Sequence, residues 1–284
     1  MRYFSAADNP APTGAVDRFV RRYNGVSYAL AVVAIYLIAA TALGLALVPP
    51  LLVVSRAAPP LWRWESWARW PLLGIVGGAS AFLWGFSLLV VVPVFNFVLP
   101  TRLRAFSGGY FTVAAVPWYL HNGLFYLVRY TFLPFVTPTP IGIWFLRAMG
   151  MHMGRRPRIT TENFTDVSMI TLGDDVSIGG SAHVFCHYGG AGRLVIAPVV
   201  IGSGATIGEK ATVMGDVVVG EGATVLAHAV LLPGTRVGPR ERWGGVPARA
   251  IDPAEWDAYR AATGGADGDE APPAPRAAAT SAPR

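Results

Sequence analysis

Residues 195–242 read VIAPVVIGSGATIGEKATVMGDVVVGEGATVLAHAVLLPGTRVGPRER, and they fall into eight consecutive hexads. Each hexad opens with Leu, Ile or Val, the second place is often glycine (Gly202, Gly208, Gly220, Gly238), and the fifth is commonly small (Ala205, Ala211, Ala223, Ala229). A period of six matches neither the 3.6 of an amphipathic helix nor the 2 of a half-buried strand. It is the period of a β-helix in which each hexad supplies one short strand and one corner. Three hexads close a triangular turn whose first-position aliphatics stack inward, while glycine is expected to serve the corner by tolerating backbone angles that a Cβ penalises. Upstream the beat continues as LGDDVS, IGGSAH and VFCHYG from Leu172 to Gly189, then breaks in GAGRL before resuming. Eleven hexads make nearly four turns, enough for neighbours to cover one another's apolar faces.

The interruption draws attention to His187, in the fourth place of VFCHYG, where a side chain points away from the coil. Gly189, Gly190 and Gly192 make the break a loop, and loops leaving a rigid scaffold commonly carry recognition. A histidine at its root suits general-base work, since its ordinary pKa lies near neutrality. His183 ends the preceding hexad, also pointing outward, and is read as orienting His187 or the acceptor. His228 holds the fourth place of VLAHAV, two full turns beyond His187 once the loop is excised. The two histidines are therefore expected on one face, about 9–10 Å apart by strand spacing. A groove between subunits would be needed to bring them together. Cys186 is the only cysteine in the chain; as His187's neighbour on a strand it should point to the opposite side and pack inward. One cysteine excludes an internal disulfide framework.

Ahead of the coil the composition changes. The chain has 284 residues, 53% of them hydrophobic and 14% charged, and no Asp, Glu, Lys or Arg lies between Arg22 and Arg56 or between Arg69 and Arg102. Each gap exceeds the roughly 20 residues that a spanning helix needs. Two transmembrane helices are expected, near Val26–Val48, ended by Pro49 and Pro50, and near Pro71–Val92, disturbed beyond by Pro93 and Pro100. A polar stretch of about 25 residues precedes the first, unlike a cleavable signal peptide. Arginines flank the outer ends of the pair, whereas the connecting loop carries Trp62, Trp64, Trp67 and Trp70, so both ends are placed in the cytoplasm. Residues 101–150 are apolar but broken by prolines and hold His121, Asn122 and Arg129. Polar groups at bilayer depth are costly, and interfacial helices are expected in place of a third span, which would move the coil to the opposite face. The resulting division is 1–25 a cytoplasmic N-terminal segment, 26–100 two membrane helices, 101–150 interfacial helices, 151–251 the hexapeptide coil, and 252–284 a short helix followed by a disordered tail. Net charge is +6, but the basic residues border the apolar spans. Lipid headgroups, and not nucleic acid, are the partners this implies.

The hexads and the exit ERWGGVPARAI (Glu241–Ile251) resemble the hexapeptide-repeat acyltransferase superfamily over about Met149–Ile251. That resemblance implies a left-handed parallel β-helix, a homotrimer with active sites in the grooves between subunits, a histidine base, and an acyl donor lying along the groove. The donor would be coenzyme A or carrier-protein phosphopantetheine, with no tightly bound cofactor. The order of two membrane helices, interfacial segment, FLRAMGMHMGRRPRI and hexads with a histidine before a loop looks like the membrane-embedded C-terminal domains of epsilon-poly-lysine synthetase and related nonribosomal peptide synthetases. A carrier protein or peptide synthetase is the partner this adds. The resemblance further implies donor contacts at Arg249 and a passage for the donor arm at Ala227. Lys210, the chain's only lysine, and Arg193 in the loop are basic candidates for the donor phosphates. Asn163 and Asp166, where the related domains carry a polar insertion, would bind the acceptor or hold the histidine. The expected function is an integral-membrane acyltransferase of the inner membrane, multi-pass, with the coil in the cytoplasm, moving an acyl or aminoacyl group from a thioester to an amine or hydroxyl. Backbone N–H groups near the loop would steady the oxyanion. The alternatives are a metalloenzyme resembling γ-type carbonic anhydrases, whose close histidine pair follows the loop where here His183 and His187 precede it, and a trimeric membrane scaffold without chemistry.

Overall fold

The computed structural model describes residues 14–110, 112–190 and 192–262. The N-terminal residues 1–13 and the expected disordered tail from residue 263 on lie outside them. A short helix α1 (Ala15–Arg22) leads into α2 (Asn24–Leu61), which turns at Trp62–Glu65 into α3 (Ser66–Val98). Two helices, Gly25–Leu61 and Ser66–Val98, are long and apolar enough to cross a membrane. They are longer than the sequence spacing predicts, because α2 runs through Pro49, Pro50, Pro59 and Pro60, and α3 through Pro71 and Pro93. Each proline removes one helical hydrogen bond, and the helix continues around the lost bond. In the turn, Arg69 lies over the rings of Trp62 and Trp70, 4.9 and 5.4 Å from their centroids.

Three shorter helices follow: α4 (Val116–Arg129), α5 (Leu133–Val136) and α6 (Pro140–Ala148). The segment expected to be purely helical also holds a strand, Phe106–Gly109. Phe132 packs against α3 at Gly85, where an added Cβ would stand 2.1 Å from its ring.

The coil begins at His152 and stacks its strands into parallel sheets. Thr206 pairs with Thr224 and Thr212 with Val230, eighteen residues or three hexads apart. Ser177, by contrast, pairs with Thr206, twenty-nine residues on, so eleven residues are inserted in that turn. First-place residues such as Ile207, Val213, Val219 and Val225, and fifth-place residues such as Ala205, Ala211 and Ala223, are buried along the axis. The corner works differently from expectation. Left-handed backbone occurs at the fourth place, at Asp175, Ser181, Gly204, Lys210, Asp216, Gly222, His228, Gly234 and Arg240. The second-place glycines serve stacking instead: a Cβ on Gly208 would lie 2.4 Å from the Ala227 nitrogen of the next turn. One continuous core joins Leu88, Leu124 and Phe125 of the helices to Phe164, Val184 and the coil axis. Helix α7 (Pro253–Ala262) closes the described chain.

Candidate active site

The eleven inserted residues do not form an open loop. His187–Gly190 and Arg193–Ile196 make an antiparallel hairpin, and Phe106–Gly109 adds as a third strand, with Ile196 paired to both His187 and Phe106. Apolar alternation in RLVI buries Leu194 and Ile196 against Ala115 and the neighbouring aromatics. The segment after the second apolar helix thus becomes part of the wall around His187.

His187 stands where the hairpin leaves the coil. Its Nδ1 is 2.7 Å from Oδ2 of Asp166. Asp166 is fully buried, in left-handed backbone just before the coil strand Ile170–Leu172. Its Oδ2 also accepts from the Cys186 N–H at 3.0 Å and from the Thr165 hydroxyl at 3.2 Å. Its Oδ1 accepts from Asn122 Nδ2 at 2.7 Å, and the Asp166 N–H donates to Asn122 Oδ1 at 2.9 Å. Burial alone pushes the Asp166 carboxyl up, but the bond and charge of His187, with the bonds from Asn122 and Cys186, outweigh it and hold the group below the ordinary carboxylate range. An ionised carboxylate only accepts, so Nδ1 carries the hydrogen and Nε2 presents its lone pair. The imidazole side chain is 27% exposed, and Nε2 has no bonded partner among the described residues. Trp118 meets the ring edge-on at 5.1 Å and Phe185 lies 5.7 Å away, so aromatic walls fix the ring plane.

Asp166 therefore turns to the histidine and away from solvent, the second of the two roles open to it in sequence. Asn163 faces the helices: its Oδ1 accepts from Arg129 Nη2 at 3.0 Å, while Nη1 of the same buried guanidinium donates to the Phe164 carbonyl at 3.0 Å. Cys186 is buried on the opposite side of the strand, as alternation requires, and burial pushes its thiol well above the ordinary value. The expected common face for His187 and His228 is not found. Register aligns His228 with Lys210 and Ser181, all with left-handed backbone, at a corner one strand before His187. The hexad count errs because it takes VIAPVV as a coil hexad, whereas Val195 and Ile196 belong to the hairpin; with eleven residues inserted, His187 lies level with Asp216 and Gly234, and the coil has one hexad fewer than expected. His183 is exposed on the strand His183–Val184. Lys210 is exposed and 3.9 Å from Glu209, and Ala227 is exposed beside His228. Arg249 is engaged by Glu255 at 3.0 Å, and Arg193 donates to the Ser107 hydroxyl at 2.8 Å. Among the described residues no group of three or more His, Cys, Asp or Glu is placed to hold a metal ion.

Asn122 and Trp118 were missed as site residues. Both lie on α4, in the apolar segment far upstream of the hexads. The available signal was the cost of burying an amide in such a segment without a partner.

Residues 197–240 match the family model for bacterial transferase hexapeptide (six repeats). No curated protein sequence matches the chain. Among solved structures, a hexapeptide-repeat-containing acetyltransferase from Vibrio cholerae is 20% identical, with a TM-score of 0.36, covering 42% of this chain and 85% of that one. Serine acetyltransferase from Neisseria gonorrhoeae is 15% identical, with a TM-score of 0.35, covering 72% of this chain and 67% of that one. AntD, an N-acyltransferase from Bacillus cereus, is 14% identical, with a TM-score of 0.29, covering 42% and 82%.

Proposed function

We propose that this protein is an integral-membrane acyltransferase that moves an acyl or aminoacyl group from a thioester to an amine or hydroxyl. The observation that carries the reading is the Asp166–His187 pair, whose 2.7 Å contact leaves Nε2 free at the mouth of a walled hairpin. Nε2 takes the proton of the acceptor N–H or O–H as that atom attacks the thioester carbonyl. The tetrahedral intermediate then expels the thiolate, which recovers the proton from the imidazolium, leaving an amide or ester and a free thiol. Buried Asp166 keeps the tautomer and stabilises the transient imidazolium, and such base assistance is worth roughly 10²–10⁴ in rate.

The donor is acyl coenzyme A or a carrier-borne phosphopantetheine. Its groove would run between subunits of a homotrimer, past the corner that carries Lys210, Ala227 and His228. Arg249 and Arg193, each already bonded within the chain, would have to exchange partners to contact donor phosphates. Two spans with both ends cytoplasmic would hold the coil on the cytoplasmic face of the inner membrane. The likeness to the terminal domains of peptide synthetases favours an aminoacyl group and a carrier protein.

The test is thiol release and intact-mass analysis with the full chain in nanodiscs, against a panel of acyl-coenzyme A and acyl-carrier thioesters. Transfer is expected with at least one donor, and His187→Gln should lower turnover about 10²–10⁴-fold at an unchanged melting temperature. Full activity in His187→Gln would overturn the reading.

A further inference from the structure

Just beyond α3 lies an open surface pocket of about 410 Å³, bordered by Arg102, Arg104, Phe106, Pro117, Trp118 and Ile196. Its charged lining is of one sign. Arg102 and Arg104 are exposed, form no ion pair among the described residues, and share the lining with no Asp or Glu. The rest is apolar or aromatic. Its position is equally specific: Arg102 follows the last residue of α3, Val98, by four residues, where a chain leaving a bilayer meets the phosphate layer. Two lining residues also belong to the site. Trp118 contacts the His187 ring edge-on, and Ile196 is the register partner of His187. Among the described residues the Trp118 indole N–H is buried without a partner.

Resting on the acyl-transfer reading, we propose that the acceptor is an anionic, phosphate-bearing membrane lipid whose headgroup is held by Arg102 and Arg104, with its hydroxyl or amine turned past Trp118 toward His187. The guanidinium forks match phosphate oxygens, the apolar lining takes the glycerol and first methylenes, and the lipid reaches the pocket from the bilayer without crossing water. A water-soluble phosphate ester would satisfy the arginines but leave the apolar lining uncovered.

The experiment uses the full chain in detergent, with binding of dioctanoyl-phosphatidylglycerol and dioctanoyl-phosphatidylcholine measured by native mass spectrometry. Phosphatidylglycerol should bind in preference, with Arg102→Gln and Arg104→Gln each weakening it about fivefold and the pair about 25-fold. Ala114→Leu, which fills the pocket without touching charge, should weaken binding as well, while Arg56→Gln near the far end of α2 should not. Melting temperatures of all variants confirm folding. Glycerol phosphate should compete only at concentrations about a hundredfold higher; competition at equal concentration would overturn the lipid source. Binding indifferent to both arginines and to Ala114→Leu would overturn the site. His187→Gln should bind the lipid like the parent, so loss of binding tests the acceptor and loss of turnover tests the chemistry.

Discussion

The coil and the helical layer are both rich in aliphatic residues and use them in opposite ways. Within the coil, Val213, Val219, Val225 and Leu231 are hidden by the turn above and the turn below. On α2 and α3, Leu30, Leu37, Phe97 and Val98 remain exposed among the described residues. Polar groups are inverted in the same sense. Beyond the buried Thr161, Thr165 and Asp166 near its start, the coil sends them outward, whereas the helices bury Asn122, Arg129 and His121, the last with Nδ1 2.9 Å from the Asn96 side chain. The coil axis covers most of its own apolar residues and shares one core with the helices at the Phe164 end, where Asn122 and Arg129 bond to the coil. The Asp166–His187 pair therefore depends on both parts, since the carboxylate comes from one and its clamp, Asn122, from the other.

Four measurements break or sharpen that contrast. The largest effect belongs to the coil axis: Val213→Asp places a charge where every side is apolar and should cost more than about 4 kcal/mol, read as loss of the cooperative thermal transition. Next is the seam. Asn122→Leu leaves the Asp166 N–H and Oδ1 buried and unbonded, which should cost about 2–4 kcal/mol and lower kcat about 10–100-fold with KM little changed. A graded effect is expected from pH. Burial lowers the His121 pKa to about 4, so between pH 6.5 and 4 the unfolded chain binds a proton that the folded one refuses. Stability should then fall as pH drops through that window, by as much as about 3 kcal/mol, and His121→Gln should flatten the slope of melting temperature against pH. The smallest effect is at the coil surface, where Arg155→Ala removes the exposed pair with Asp174 and should stay within about 1 kcal/mol.

The coil was legible because a six-residue period states which side chains face the axis, and His187 was legible because it sits where the period fails. What the period conceals is the backbone. Second-place glycines and left-handed corners fall in different places of the hexad, and only the spacing between stacked turns distinguishes them. Likewise, a count of hexads set His187 beneath His228, because VIAPVV fits the period although Val195 and Ile196 are part of the hairpin. Asp166 was visible as a polar residue before the coil, but its orientation depends on Asn122, forty-four positions earlier. No local pattern links two such residues. The helix ends were misjudged for a related reason: proline rules assign a break, whereas α2 continues through Pro49 and Pro50 and α3 through Pro93.

The third strand of the hairpin sheet, Phe106–Gly109, comes from the segment that follows α3. A soluble fragment cut just ahead of His152 would lose that strand and Asn122 together. It would expose the backbone donors and acceptors of Arg193–Ile196 as a sticky edge and free Asp166 to swing away from its imidazole. Solubilising the coil by truncation would thus yield a well-ordered prism with a dismantled reaction centre.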